Sequence, residues 1–343
     1  MIGRFVLKRL AIAFLQLVGV ALVVFFLIRM LPADPVARLV GLNASTEAYE
    51  QSAHALGVDQ PLWQQFLNFL GLFSNSGQPG LLQGNLGVSW VTNTPVLTEI
   101  RGVLPVTLEI VTYSLLLAFL VALPLGLASA RKPGGIADRI TLIWGMFAGA
   151  QPDYWWGLLF VFVFYFLLNV APPPMGRIDP LLTEPHMITG FMTIDTLLQG
   201  RFDAFVSAVH HLMLPVLTLV YVVSGAIVKM VRTNTLRALQ SDYILYARAS
   251  GLPEAQVARY ALRAALTPAI TLIGIFYSVL LSAAVTIEVV FTMGGIGQYA
   301  VRSILAFDYP AIQGVVLVVA FVSLMIYLLL DIVHAYLDPR IRY

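Results

Sequence analysis

Long apolar stretches alternate with polar segments along this chain, and six of the apolar stretches have the length of membrane spans. They cover residues 10–28, 106–128, 140–171, 212–231, 269–290 and 312–332. An α-helix needs ~20 mostly apolar residues to cross the hydrocarbon core of a bilayer. The third stretch is interrupted by Gln151-Pro152-Asp153, and its first half alone is too short to cross. We therefore predict one long third helix kinked at Pro152, in an all-α polytopic membrane protein with six transmembrane helices.

Two polar regions separate these spans on the side of the membrane that we predict to be external. Residues 31–102 are rich in Pro, Gly, Asn, Ser and Gln, and their apolar spacing predicts amphipathic helices at 47–56 and 62–72. We expect this region to fold as a small external cap. The second polar region covers residues 172–211, with a helix predicted at 191–200.

The same pattern predicts the domain organisation. It comprises an N-terminal transmembrane helix (1–30), an external cap (31–102), a core of five transmembrane helices (103–335) with a cytoplasmic loop (232–268), and a cytoplasmic tail (336–343). The apolar run at 10–28 is longer than the ~7–15 residues of a signal-peptide core, so we interpret it as a retained span.

The polar segment between the fourth and fifth spans predicts two short helices joined at a glycine, and we call residues 242–268 the helical elbow. Gly251 suits the left-handed conformation that ends a helix, and Pro253 suits the first turn of the next one. Helical spacing places each of two sets of residues on one face of its helix, namely Leu239, Tyr243, Tyr246 and Ala247, then Val257, Tyr260, Ala261 and Ala264. Small residues at the tip would let another protein approach the backbone closely. The alternative is a loop that only joins two spans.

Composition and charge agree with a membrane protein. The chain is 59% hydrophobic and 11% charged, with a mean hydropathy of +0.85. Its net charge of +2 comes with basic residues distributed by side of the membrane, which gives no indication of a nucleic-acid partner. Fourteen of the 20 Lys and Arg residues fall on the cytoplasmic side of a six-span arrangement that starts inside. This bias favours six spans, with both termini and the helical elbow in the cytoplasm.

Motifs for nucleotide binding, catalysis and metal ligation are missing from the sequence. None of the three lysines follows a glycine, so the Gly-Lys-Ser/Thr of a phosphate-binding P-loop is absent. The chain has no cysteine, and its five histidines show no pair at metal-ligand spacing. We therefore predict that the chain is not an enzyme and holds no metal or cofactor of its own. If ATP drives it, the ATPase is another polypeptide.

Short motifs give the chain a specific resemblance. The sequence Ala247-Arg248-Ala249-x-Gly251-Leu252, followed by a basic helix and Thr267-Pro268, resembles the EAA loop of permeases from binding-protein-dependent ABC importers. The nearest version is that of the dipeptide/oligopeptide/nickel permease family. The generic loop begins with Glu, whereas Leu245 occupies that place here. Further motifs in family order extend the resemblance over nearly the whole chain: Leu31-Pro32-Ala33-Asp34-Pro35, Pro152 with Trp155-Trp156, Thr189-Gly190-Phe191-Met192, Gly294-Gly295-Ile296-Gly297, Asp308-Tyr309-Pro310 and Asp338-Pro339-Arg340.

The resemblance implies the transmembrane domain of a type I ABC importer in a prokaryotic inner membrane. Such a permease subunit forms half of a translocation path for peptides, here most similar to dipeptide permeases. It binds a homologous second permease, two cytoplasmic ATPase subunits that hold the ATP, and an external solute-binding protein. The residues that match the loop motif are expected to contact the ATPase: Tyr246, Ala247, Arg248, Ala249, Gly251 and Leu252.

Acidic residues at membrane depth are candidates for the translocation path, because a charge is costly in lipid. Glu109, Glu288 and Asp331 lie near the ends of predicted spans, where we expect structural roles. Asp153 is deeper and follows Pro152, so we interpret Pro152 and Asp153 as candidates for the path or its gate. Two other classes stay open, an ion-coupled secondary transporter and a non-transporting membrane scaffold subunit. Co-purification with an ATPase, or uptake by the chain alone, would distinguish them.

Overall fold

The computed structural model describes the backbone of residues 2–30, 34–41, 44–72 and 79–337. Its description of side chains leaves out residues 2–5, 263–272 and 334–337 within those ranges. The helices are Ile2–Met30 (α1), Pro35–Val40 (α2), Thr46–Leu56 (α3), Leu62–Leu70 (α4), Val96–Arg131 (α5), Ile136–Ala148 (α6), Asp153–Phe160 (α7), Met192–Leu198 (α8), Phe202–Leu239 (α9), Asp242–Ala249 (α10), Glu254–Val290 (α11), Ile296–Leu305 (α12) and Tyr309–Leu337 (α13). A short 3₁₀ turn covers Leu81–Gln83, and a π-helix covers Val161–Leu167.

The structure confirms an all-helical membrane protein. Within the described residues, five helices are long and apolar enough to cross a membrane: Val6–Met30, Val96–Arg131, Phe202–Leu239, Ile273–Val290 and Tyr309–Val333. A shorter apolar helical segment covers Asp153–Leu167. The long helices α1, α5, α9, α11 and α13 contain the predicted first, second, fourth, fifth and sixth spans.

The prediction of a single kinked helix for the third span is wrong, because the structure divides this segment into separate helices. The first, α6, ends at Ala148, and α7 starts at Asp153 and continues into the π-helix. Pro152 has an extended backbone with ψ of 151°. Proline has no N–H to donate to the preceding turn, and it disfavours helical geometry in the residue before it. With Gly149 at the end of α6, the helix stops instead of bending.

The chain divides into two compact units. The first contains residues 1–104 and 296–328. Its best-defined apolar core joins α5, α12 and α13 through Val96, Ile100, Ile296, Ala311 and Val315. The two amphipathic helices predicted in the external cap are confirmed as α3 and α4. The side of the membrane on which they lie stays a prediction, as does the domain boundary at 102/103.

The second unit contains the described residues of 105–295 and 329–337, and α9 lies at its centre. This helix packs against α6, α7, α8 and α11. With 38 residues, α9 is about 57 Å long at 1.5 Å per residue, well beyond the ~30 Å of a bilayer core. It therefore extends past the membrane, and the helical elbow begins where it ends.

Candidate functional site

The helical elbow consists of α10 and the start of α11, joined by a tight turn. Gly251 has a φ of +77°, in the left-handed region. Its N–H donates to the carbonyl of Arg248 at 3.0 Å, and the N–H of Leu252 donates to the carbonyl of Ala247 at 3.2 Å. These two hydrogen bonds form a Schellman motif, which glycine adopts without the steric penalty of a Cβ. The predicted turn at Gly251 is confirmed, and Pro253 caps the start of α11.

The interior of the helical elbow is small and apolar. Ile244, Ala247, Val257 and Ala261 of the elbow form a buried cluster with Ala238 of α9, and Leu239 and Leu252 pack against this cluster. The residues predicted to share one face of α10 differ in burial, because Ala247 is buried whereas Tyr243 and Tyr246 are exposed, and Ile244 is the fully buried residue of this helix. The long helix α9 ends at Leu239, so α10 starts a new helix whose rotation is independent of α9.

The residues predicted to share one face of α11 are buried at two of the three positions whose side chains the structure describes. Val257 and Ala261 are fully buried, as the periodicity indicates, whereas Tyr260 is 45% exposed. The predicted fourth member, Ala264, lies outside the described side chains. The second helix is also not short, since α11 runs without interruption from Glu254 to the end of the fifth span.

The outer surface of the helical elbow contains four of the six residues that the resemblance assigns to ATPase contact: Tyr246, Arg248, Ala249 and Gly251. The other two, Ala247 and Leu252, pack in its interior. Tyr246 is 76% exposed, and Tyr243, Leu245 and Tyr260 are also exposed nearby. Sequence periodicity grouped Tyr243 with Ala247 and Tyr260 with Ala261, and this spacing gave no indication that both tyrosines are exposed.

An ion pair closes the tip of the helical elbow. Arg248 Nε donates to Glu254 Oε1 at 2.9 Å, and Arg248 Nη2 donates to Oε2 at 3.3 Å. Both side chains are exposed, so solvent screens their attraction. The pair connects the end of α10 to the first residue of α11 across the Schellman turn.

A second ion pair lies before the start of the helical elbow and is buried. Asp138, at the beginning of α6, accepts hydrogen bonds from Arg232 on α9, from the Ser129 hydroxyl on α5 and from the N–H of Gly134. These donors hold the pKa of Asp138 well below its usual range. The sequence places Asp138 and Arg232 near the ends of different spans, and no spacing rule pairs residues 94 positions apart.

Pro152 and Asp153 lie at the break in the third span, in elements separate from the helical elbow. The Asp153 side chain is half-buried at the first residue of α7, and none of the described residues donates a hydrogen bond to it. One turn further on, Trp156 packs against Tyr221 of α9 with 4.4 Å between ring centroids. The Asp153 carboxylate thus has no hydrogen-bond partner among the described residues.

Glu109 and Glu288 have structural roles. Glu109 is fully buried and accepts from Arg177 at 2.6 Å and from the N–H of Thr193 at 2.9 Å, which fixes the segment around α8. Glu288 is also fully buried and accepts from the Thr107 hydroxyl. A Cβ at Gly295 would lie only 2.3 Å from the Glu288 carboxyl carbon, which explains the glycine in the Gly294-Gly295 motif.

The part of the chain that the structure describes contains no group of three His, Cys, Asp or Glu residues arranged to hold a metal ion.

Comparisons with known proteins agree with this architecture. Residues 1–111 match the N-terminal family model of the binding-protein-dependent transport system membrane component, and residues 122–343 match the model of the binding-protein-dependent transport system inner membrane component. A probable D,D-dipeptide transport system permease protein of Escherichia coli (strain K12) is 38% identical over 95% of this chain and 94% of its own length. The dipeptide transport system permease protein of the same strain is 33% identical over 99% of both chains. A di/tripeptide transport system permease protein of Pseudomonas aeruginosa (strain UCBPP-PA14) is 36% identical over 99% of this chain and 98% of its own.

These family models together cover nearly the whole sequence, and the relatives align from end to end. The chain is therefore a multi-pass membrane component of a transport system that depends on a binding protein, and not its catalytic subunit. It belongs to the family of binding-protein-dependent transport system inner membrane components.

Proposed function

We propose that this chain is a permease subunit of an ATP-driven importer of dipeptides and that the helical elbow is the docking site for its ATPase subunits. The observation that carries the proposal is the geometry of the helical elbow, whose exposed tip is rigidly capped and whose second helix continues as α11 into the membrane. A displacement of the tip therefore moves a membrane span as a rigid body.

The proposed complex contains a homologous second permease, two cytoplasmic ATPase subunits that bind ATP, and an external solute-binding protein. This chain would form half of the translocation path, with both termini and the helical elbow in the cytoplasm. The distribution of Lys and Arg supports that orientation. We propose the same division of the chain into a first span, an external cap, a core and a tail within this complex.

The docking surface comprises Tyr246, Arg248, Ala249 and Gly251, supported from within by Ala247 and Leu252. Exposed tyrosines are frequent anchors at protein interfaces, and besides Tyr246 the helical elbow exposes Tyr243 and Tyr260. At Gly251 a partner can approach the backbone, because no atom lies within 4 Å of the position where a Cβ would be.

The substitution Gly251→Val tests the docking role. A left-handed φ costs a residue with a Cβ about 1–2 kcal/mol, so we expect the turn to change and uptake of dialanine to fall while ATP hydrolysis continues. The protein should remain in the membrane, as immunoblots of membrane fractions would show. Uptake at the wild-type rate would contradict the docking role.

Two further variants separate strain from surface contact. Gly200 ends α8 in the same Schellman motif, with a φ of +68° and open space around it, so Gly200→Val applies the same strain away from the helical elbow. It should leave transport coupled to hydrolysis. Gly251→Asn retains the left-handed turn but adds a side chain, and it should weaken retention of the ATPase only if the partner contacts the backbone there.

The dipeptide substrate is supported by the relatives, three of which are named as dipeptide or di/tripeptide permeases. Uptake of labelled dialanine by cells that express the complete transporter tests it, with free alanine as the competitor that should have no effect. Uptake by this chain without any ATPase would instead favour an ion-coupled secondary transporter. Failure to retain an ATPase, together with no uptake, would favour a scaffold subunit.

We also propose that Pro152 and Asp153 contribute to the translocation path. A half-buried carboxylate with no partner among the described residues suits the ammonium group of a peptide. Asp153→Asn should raise the dialanine concentration needed for half-maximal uptake and leave ATPase retention unchanged. An unchanged concentration dependence would remove Asp153 from the path.

A further inference from the structure

The carboxylate of Asp138 connects three helices of the second unit at one point. Arg232 Nε lies 2.5 Å from Asp138 Oδ1, and Arg232 Nη2 lies 3.0 Å from Oδ2. The Ser129 hydroxyl donates to Oδ1 at 2.5 Å, and the N–H of Gly134 donates to Oδ2 at 2.8 Å. Asp138 is 3% exposed, so these four bonds hold the end of α5, the start of α6 and α9 together with little access for water.

Close helix contacts reinforce this connection further along α9. A Cβ at Gly126 of α5 would lie 2.7 Å from Val231, so the two backbones approach closely beside Arg232. A Cβ at Gly225 would lie 3.3 Å from the Cα of Gly145 on α6. One turn earlier, the Trp144 indole N–H donates to the carbonyl of Tyr221 at 3.1 Å. Contacts of this kind leave α6 little room to slide along α9.

The Asp138–Arg232 ion pair lies between the helical elbow and the break in the third span. Arg232 is seven residues before the end of α9 at Leu239, which is about 10 Å along the helix axis at 1.5 Å per residue. Ala238 and Leu239 pack in the interior of the helical elbow. In the other direction, α6 ends at Ala148, immediately before the break that precedes Asp153.

We propose that Asp138 and Arg232 are positioning residues that join the helical elbow to the third span, so that α6 moves together with α9 when the helical elbow is displaced. The bidentate geometry fixes both distance and orientation, which a single hydrogen bond or an apolar contact would not do. Displacement of the tip then reaches the third-span break through α9, the ion pair and α6. This inference rests on the proposed docking role of the helical elbow.

Replacement of both charged residues removes the connection without leaving a buried charge. Asp138→Asn combined with Arg232→Met keeps similar side-chain volumes, and neutral replacements of buried ion pairs are often tolerated by the fold. The matched control is Glu109→Gln with Arg177→Met, which removes another buried ion pair of this unit, in the segment around α8.

The first measurement uses the chain alone in lipid nanodiscs. The protein has no cysteine, so spin labels can be attached at Ile136→Cys and Tyr246→Cys, both exposed positions on α6 and α10. Double electron–electron resonance should give a narrow distance distribution in the otherwise unchanged chain and in the control pair. The Asp138→Asn/Arg232→Met variant should broaden it, and an unchanged distribution would overturn the proposal.

The second measurement uses the complete transporter in proteoliposomes, with labelled dialanine as the probe. The ratio of dialanine transported to ATP hydrolysed should fall roughly 5- to 150-fold in the Asp138→Asn/Arg232→Met variant, the range typical of coupling between distant sites. Arg232→Lys, which keeps the charge but loses the bidentate contact, should give an intermediate ratio. An unchanged ratio, or an equal fall in the control pair, would overturn the proposal.

If Gly251→Val leaves transport normal, the docking role fails, whereas the label distances still decide whether the ion pair joins α6 to the helical elbow.

Discussion

One arginine–carboxylate pair, Asp138 and Arg232, precedes α10, and another, Arg248 and Glu254, lies at its end. The two pairs have the same chemistry but differ in burial and in the sequence distance between their partners. Asp138 and Arg232 are buried to a large degree, with side chains 4% and 22% exposed, and the carboxylate has further donors in Ser129 and Gly134. Arg248 and Glu254 are 42% and 72% exposed, and their contact bridges only a short turn. The first pair joins distant parts of the chain, whereas the second joins neighbours.

This difference indicates different functions. A buried pair is costly to separate, because each charge would be left without water or a partner. An exposed pair loses little when it opens, since water replaces the missing contact. The buried pair is therefore suited to keep helices in register, and Arg248 is suited to exchange Glu254 for a carboxylate of a docking protein.

The largest effect should follow from breaking the buried pair on one side only. Asp138→Ala leaves the Arg232 guanidinium without its partner, and we expect a loss of about 3–5 kcal/mol in the free energy of unfolding. Titration of the purified chain with sodium dodecyl sulfate, followed by circular dichroism, would measure it. Glu254→Ala is the matched control on the exposed pair and should lose less than about 1 kcal/mol. Equal losses would remove the distinction between the two pairs.

A smaller effect should appear when acid protonates the same carboxylate. Asp138 lies before the predicted third span, and its pKa is held well below the usual value by Arg232, Ser129 and the N–H of Gly134. A carboxyl whose pKa is lower in the folded state contributes its full stability above its unfolded pKa of ~3.9 and loses it as the pH falls toward the folded pKa. The stability advantage of the natural chain over Asp138→Asn should therefore be constant from about pH 7 to 5 and shrink below about pH 4.

The measurement repeats the detergent titration at several pH values for both chains. Asp138→Asn has no titratable group at this position, so it corrects for every other carboxyl in the protein. A difference that stays constant down to pH 3 would show that the buried carboxylate gains nothing from its charge.

These pairs also show which features of the structure can be predicted from the sequence alone. Hydrophobic runs determine which segments become membrane helices, and the turn at Gly251 follows from the conformational freedom of glycine. Both are local properties, so they could be predicted. The pairing of Asp138 with Arg232 depends on which helices pack together, and the exposure of Tyr243 depends on how α10 is rotated after α9 ends. Neither the pairing nor the exposure can be predicted from the local pattern of residues.

The third span is an intermediate case. Pro152 was a visible interruption, but a proline permits either a bent helix or two separate ones. The contacts of α6 and α7 with α9 hold two separate helices in place, and only the packed structure shows them. Trp144 of α6 and Trp156 of α7 both contact the ring of Tyr221, so the helices on both sides of the break pack against the same residue of α9.

The smallest effect on folding, and the sharpest test of the exposed pair, should come from Arg248→Gln compared with Glu254→Gln. Each removes the same ion pair, so each should change the free energy of unfolding by less than about 1 kcal/mol. Only Arg248→Gln removes the cation that a docking protein would contact, and it should reduce retention of the ATPase on affinity resin, more strongly at low salt than at high salt. Glu254→Gln should retain the ATPase at least as well as the natural chain, because it leaves Arg248 without its internal competitor. Equal losses in both variants would mean that the ion pair shapes the turn and that the arginine makes no contact with the partner.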